Sequence, residues 1–253
     1  MNENESKFDG ISKVYAQHRP KYSMEFINYL YSDVYFSDNS IIADIGSGTG
    51  ILTKQLLEKG SFVYAVEPNA EMRAIAEADL SGYDSFASIN ASAENTLLRD
   101  NSVDFVTAAQ AFHWFDRLRF RAECNRILRT SGKIILVWNS RDEDSELIQE
   151  NEMVIRKYCP KFTGFAGGIR SEESDFNFSD FFEGKYDIRV FRNDLTLNEE
   201  GFIGRNLASS FALRADDSNY LVFITELKSL FNRYSNDGLL VMPNLTCCYV
   251  GSV

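Results

Sequence analysis

The chain holds two histidines, and one of them, His113, stands inside QAFHWFD at 110–116 among three large aromatic residues. An imidazole titrating near an unperturbed pKa of about 6.5 can take or give a proton at neutral pH. The rings of Phe112 and Trp114 offer π faces that attract a cation and exclude water. The same spacing also describes a packed corner that supports the next helix. His18 has no Asp, Glu or Cys at ligand spacing, and Cys124, Cys159, Cys247 and Cys248 form no CxxC pair. Neither a metal site nor a structural disulfide is therefore expected, and no Ser/His/Asp triad is apparent.

A second constellation is ADIGSGTGIL at 43–52, where an apolar run, a glycine-rich turn and a helix start follow in immediate succession. Glycines let the main chain approach a ligand where a Cβ would collide. The dinucleotide fingerprint spaces its glycines as G-x-G-x-x-G, whereas Gly46, Gly48 and Gly50 fall two apart and Ile51 occupies the third fingerprint position. That spacing argues against a nicotinamide or flavin dinucleotide, and the missing G-x-x-x-x-G-K-[ST] argues against a nucleoside triphosphate. Glu67 follows SFVYAV, 23 positions after Asp44. A carboxylate at such a strand end can accept both hydroxyls of a ribose, and it repels a 2′-phosphate. The pattern favours a nucleoside ligand without phosphates.

The elements that must position these residues alternate. SIIADIG, SFVYAVE, SFASIN, SVDFVTAAQ and KIILVWN read as strands, with ILTKQLLEKG, NAEMRAIAEADL and RFRAECNRILR as the helices among them. Gly60 caps the first of these helices and Pro68 leads into the second. This rhythm predicts an α/β fold: a Rossmann-like, doubly wound, seven-stranded, mostly parallel sheet with helices on both faces and a small helical cap. QAFHWFD then lies at a strand C-terminal end, where open parallel sheets bind ligands. Two strands near YDIRVFRNDLTL and LLVMPNLTCCYVGSV complete the sheet. FTGFAGGIRSEESDFNFSDFF, rich in glycine and aromatic residues, is expected to be a mobile cover.

With 253 residues and 44% hydrophobic content, one core of substantial size is expected. We read 1–253 as a single domain: N-terminal cap helices over 1–39, a ligand-binding core over 40–142, a cap or lid over 143–185, and closing strands and helices over 186–253. The net charge of -11 disfavours a nucleic-acid partner. The opening MNENESKFDG has neither a basic start nor an apolar run, and no run of about 18 apolar residues occurs. The reading is a cytoplasmic protein without a membrane partner, monomeric or homodimeric.

Over about 15–142 the chain resembles the class I S-adenosylmethionine-dependent methyltransferases. The matching stretches are DIGSGTG at 44–50, VEPNAEM at 66–72, ASAENTLL at 91–98, AAQAFHWFD at 108–116 and ECNRILRTSGKIILVWNSRD at 123–142. It is most similar to a small-molecule branch opening with Y-x-x-x-R-P-x-Y, here Tyr15 to Tyr22, which includes enzymes similar to trans-aconitate and quinone-type methyltransferases. The resemblance implies S-adenosylmethionine as cofactor and a small organic molecule as methyl acceptor. It places Gly46, Ser47, Gly48 and Thr49 beside the methionine portion, with Asp44 anchoring the loop or a cofactor group through water. Glu67 and Pro68 then border the ribose. Met72, Ser92, Ala93 and Glu94 flank the adenine, Ala109 and Gln110 touch the cofactor, and Tyr15 and Arg19 share a helix face from which Arg19 clamps the carboxylate. His113 and Trp114, together with Phe112, would wall the space of methyl transfer. The alternative is a non-catalytic binder of the same ligand. One departure is LRTSG at 128–132, where the family usually has a Leu-Lys-Pro-Gly-Gly turn.

Overall fold

The computed structural model describes residues 20–165, 178–182, 184, 186–208 and 211–253. Helix α1 (Met24–Ser32) precedes an alternation of β1 (Ile41–Ile45), α2 (Ile51–Leu57), β2 (Phe62–Val66), α3 (Ala70–Leu80), β3 (Phe86–Ile89), β4 (Val103–Ala109), α4 (Arg117–Ile127) and β5 (Leu128–Arg141). Then come α5 (Glu146–Tyr158), β6 (Asp187–Arg192), β7 (Leu195–Leu197), α6 (Glu199–Leu207), α7 (Tyr220–Tyr234), β8 (Leu240–Met242) and β9 (Asn244–Gly251).

The main sheet has the strand order β3-β2-β1-β4-β5-β9-β6. Strands β1 to β5 are parallel, and β9 runs antiparallel to both β5 and β6. This is the expected seven-stranded, mostly parallel, Rossmann-like sheet. Because helices cover both faces, a central strand is apolar on both sides. Along β5, Ile134, Leu136 and Trp138 enter one apolar cluster while Ile135 and Val137 enter the other. Each such buried aliphatic side chain contributes roughly 1.5–3 kcal/mol. A third cluster joins α5, α6 and α7 to the β7–β8 pair, through Phe202, Phe223, Leu227 and Leu240 among others.

Three local expectations are corrected. YDIRVFRNDLTL is two strands: β6 ends in the main sheet at Arg192, and after Asn193 and Asp194 the chain enters a separate two-stranded sheet where β7 pairs with β8. LLVMPNLTCCYVGSV likewise divides at Pro243, which has no N–H to give to a ladder. At 128–132 β5 runs on as a bulged strand in place of a turn: Leu128 pairs with Val103 and Lys133 with Phe105, so five steps on one strand oppose two on the other. Gly132 is needed there for space, since a Cβ would stand 2.7 Å from Leu128 Cδ2 and 2.9 Å from the Asp104 carbonyl.

The expected mobile cover departs most. Phe178, Phe181 and Phe182 are all nearly inaccessible and pack into the core with Phe112, Phe120 and Trp138. The apolar character of NFSDFF, not its glycine-rich approach, decides the placement of 178–182. The rest of that stretch, 166–177, lies outside the described residues. Among the described residues no helix is long and apolar enough to cross a membrane.

Candidate cofactor and acceptor site

The glycine turn leaves β1 with all three glycines at positive φ: +67° at Gly46, +58° at Gly48 and +82° at Gly50. Left-handed backbone in three alternating positions is open to glycine and strained for other residues. Space also matters. A Cβ on Gly46 would lie 2.7 Å from Ala111 Cβ and 3.1 Å from Phe115 Cζ, so the turn is packed directly on the QAFHWFD segment. A Cβ on Gly50 would lie 2.8 Å from Leu80 Cδ1 and 3.2 Å from Ala76 Cβ. Gly50 thereby seats the start of α2 against α3. At Gly48 the nearest atom is Met72 Sδ at 3.8 Å, which sets Met72, 4% exposed, beside the turn.

Two acidic residues hold this turn. Asp44 is fully buried and accepts from Thr53 Oγ1 at 2.6 Å and Thr107 Oγ1 at 2.8 Å, joining β1 to α2 and β4. Burial pushes its pKa from 3.8 up to about 6, against the opposing effect of those hydrogen bonds. Its role in the structure is thus to anchor the turn. Glu67 is 7% exposed. Its Oε2 accepts the Gly48 N–H at 2.9 Å and its Oε1 the Asn69 N–H at 2.8 Å. Burial raises its pKa too, while these two N–H groups pull the other way. Each carboxylate oxygen has two acceptor positions, so both still have one for a ligand hydroxyl.

The turn's remaining polar groups are mostly satisfied. Gly46 and Ser47 donate their N–H groups to the Val66 carbonyl at 2.8 and 3.1 Å. The Ser47 hydroxyl is buried without a hydrogen-bond partner, and buried polar atoms are ordinarily paired. Asn69 caps α3 by accepting the Met72 N–H. Arg73, passed over in the sequence, donates to the carbonyls of Glu67 and Pro68 and to Asn90 Oδ1. It fastens the ends of β2 and β3 together.

Beyond β3, Ala93 is buried and Ser92 bridges to Asn95. Glu94 Oε1 accepts the Asp116 N–H at 3.0 Å, tying this loop to the helix-capping residue after QAFHWFD. Glu123, also missed, fixes the loop from below by accepting from Thr96 N–H and Oγ1 at 2.7 and 2.6 Å and pairing with Arg126. At the end of β4, Gln110 has φ +57° and donates Nε2 to the Asn139 carbonyl at 2.8 Å. A non-glycine residue held in the left-handed region is the kind of strain that concentrates at functional positions. Ala109 precedes it, half-buried.

The 3₁₀ turn Phe112–Trp114 divides the aromatic segment. Phe112 is 1% exposed and meets Phe120, Trp138, Phe178 and Phe181, so it belongs to the core and does not wall the transfer space. His113 and Trp114 face outward, with ring centroids 4.7 Å apart. Tyr15, His18 and Arg19 lie outside the described residues. The turn at 46–50, Glu67, 91–94 and 109–110 all stand at the C-terminal ends of adjacent parallel strands β1 to β4.

Residues 43–136 match the methyltransferase domain family. An uncharacterized methyltransferase of Mycobacterium tuberculosis is 40% identical over 143 residues, which is 56% of this chain and 56% of that protein. An uncharacterized methyltransferase-like protein of Schizosaccharomyces pombe is 31% identical over 155 residues, 60% of this chain and 59% of that one. The chain spans little more than half the length of the curated relatives it matches. Among solved structures, one provisionally named a type II methyltransferase, from Anaeromyxobacter dehalogenans, has a TM-score of 0.68 at 21% identity, covering 92% of this chain and 97% of its own. A Haemonchus contortus phosphoethanolamine N-methyltransferase, in complex with phosphomonomethylethanolamine and S-adenosylhomocysteine, has a TM-score of 0.53 at 16% identity over 98% of this chain and 59% of that one. Residues 43–136 therefore carry a methyltransferase domain, and the chain has the Rossmann-like fold of these methyltransferase structures.

Proposed function

We propose that the chain binds S-adenosylmethionine and transfers its methyl group to a small organic acceptor. The observation that carries this reading is the Gly48–Glu67 pair: main chain stripped of Cβ atoms faces a buried carboxylate that retains free acceptor positions. The unpartnered Ser47 hydroxyl is an independent sign of a polar ligand in the same crevice. These groups fit an adenosyl thioether, with Glu67 on the ribose hydroxyls, Gly46 to Thr49 along the amino-acid portion, Met72 and Ser92 to Glu94 around the base, and Ala109 and Gln110 at the sulfur end. Tyr15 and Arg19 remain part of the proposal for the amino-acid carboxylate.

S-adenosylmethionine, held by Glu67, Gly46 to Thr49 and Ala109 to Gln110, would supply a methyl group already activated on sulfur. The protein's own task is positioning and desolvation. Asp44 fixes the turn through Thr53 and Thr107, and Gln110 fixes the β4 end through the Asn139 carbonyl. Trp114 and His113 border the outer side of the space beyond Ala109, where Trp114 can cover the acceptor and His113 can take a proton that an O–H or N–H acceptor releases. Incubation with methyl-labelled S-adenosylmethionine and a small-metabolite extract tests this. Label in a small organic product is expected; tight cofactor binding with no label transferred would leave only the non-catalytic binder.

A further inference from the structure

Arg141 ends β5, at the same edge of the sheet as the site, and it is 6% exposed. Among the described residues its side chain makes no hydrogen bond or ion pair, and its Nη1 is buried without a partner. Its guanidinium lies over the Phe165 ring at 3.8 Å. Burial drives its pKa well down, and the nearby positive charge of Arg205 adds to that effect. Glu152 is the carboxylate that opposes it electrostatically, but Glu152 gives its own ion pair to Arg156 at 2.6 Å. An uncompensated buried guanidinium is costly unless a ligand completes it.

The residue directly across the ladder is Asn244, which pairs with Arg141 in the β5–β9 register. Opposed residues share a sheet face with Cβ atoms roughly 4.5–5.5 Å apart. Asn244 is fully buried, and its Nδ2 also lacks a partner. Its amide orientation is fixed, because Oδ1 accepts from Arg205 Nη2 at 3.3 Å and an arginine can only donate. The two adjacent orphans are therefore both donors. Between α5 and α6, Asn206 accepts Asn151 Nδ2 at 2.8 Å and gives its own Nδ2 to the Phe202 carbonyl, leaving the buried Asn151 Oδ1 as an orphan acceptor. Two residues before Arg141, the Asn139 backbone carbonyl receives the Gln110 side chain, which joins this end of β5 to the end of β4.

We propose that Arg141 and Asn244 form the subsite that holds a carboxylate of the methyl acceptor. This rests on the methyltransferase reading above and narrows its substrate to acids. A guanidinium fork meets a carboxylate with two parallel hydrogen bonds, and Asn244 Nδ2 supplies a further donor beside it. One guanidinium with the Glu152 carboxylate already near matches a monoanionic group better than a phosphate dianion.

The test is calorimetric titration of the full chain, saturated with S-adenosylhomocysteine, against succinate, succinamide and inorganic phosphate, in wild type, Arg141→Lys and Arg141→Met. Succinate is expected to bind at least tenfold tighter than succinamide, to weaken at least tenfold in Arg141→Lys and to give no heat with Arg141→Met. Because Arg141 is a buried charge without a partner, Arg141→Met should also melt higher than wild type in the absence of ligand, an effect opposite to that of losing a structural arginine. Equal binding of succinate by all three proteins overturns the proposal, as does phosphate binding without succinate binding or a lower melting point of Arg141→Met. If S-adenosylhomocysteine itself fails to bind wild type, the methyltransferase reading fails first. In that case succinate binding measured without it still decides the anion subsite.

Discussion

Glu67 accepts the backbone N–H of Gly48 at 2.9 Å, so the acidic end of β2 and the glycine turn after β1 are one rigid unit. The carboxylate that is proposed to read the ribose also sets the shape of the turn that is proposed to hold the amino-acid portion. A substitution at either position therefore acts on both. With Asp44 holding the same turn from beneath through Thr53 and Thr107, the site's precision comes from side chains on three neighbouring elements.

Asp44 makes stability depend on pH in a definite direction. Its folded pKa of about 6 lies above the usual 3.8. The group therefore favours folding most below its unfolded value, and that contribution is lost as pH rises through about 6. The rise corresponds to roughly 3 kcal/mol. Asp44→Asn, which cannot ionise, should gain up to about that much on wild type between about pH 4 and pH 7. Urea unfolding of both proteins across this range checks it, and a difference that does not change with pH would contradict it.

Gly50→Ala places a Cβ at a φ of +82°, 2.8 Å from Leu80 Cδ1. The strained backbone and the overpacking together should cost about 2–4 kcal/mol. Gly82 has nothing within 4 Å of a built Cβ and no positive φ, so Gly82→Ala should stay within about 1 kcal/mol of wild type. Similar urea midpoints for the two variants would show that Gly50 is not held by packing.

Ser47→Ala removes a buried hydroxyl with no partner in the protein. Thermal unfolding of the free protein should be unchanged or slightly improved, while affinity for S-adenosylhomocysteine falls by about 0.5–1.5 kcal/mol. A clear loss of stability with unchanged affinity would mean that the hydroxyl serves the fold alone.

The two sides of the aromatic segment should separate in kinetics. Phe112→Ala, inside the core, is expected to destabilise by about 3–5 kcal/mol. His113→Ala should lie within about 0.5 kcal/mol of wild type in stability and keep its cofactor affinity, with kcat lowered for an acceptor that loses a proton. An unaltered kcat for His113→Ala would remove it from the mechanism.

The first half of the fold was legible because each strand is short, apolar and bounded by a turn signal, and because helices of ordinary length fill the gaps. The glycine turn and Glu67 could be read as a pair because the sheet's period fixes where a strand end falls. Phe112 could not be told from its neighbours: periodicity does not say which of three adjacent aromatics turns inward, and that is decided by Phe178 and Phe181, about 65 residues further on. Pro243 was a visible strand breaker, yet the switch of β7 and β8 into their own sheet depends on long-range pairing. Arg141 was invisible for a different reason. An arginine is read as surface by default, and only the β5–β9 register shows it buried beside Asn244.

Titration calorimetry with S-adenosylhomocysteine on wild type and Glu67→Ala tests the central claim most directly. Saturable one-to-one binding is expected for wild type, with affinity reduced in Glu67→Ala by roughly 1–3 kcal/mol, about 5- to 150-fold. No binding by the wild-type chain, or the same affinity in both proteins while each remains folded, would contradict the account.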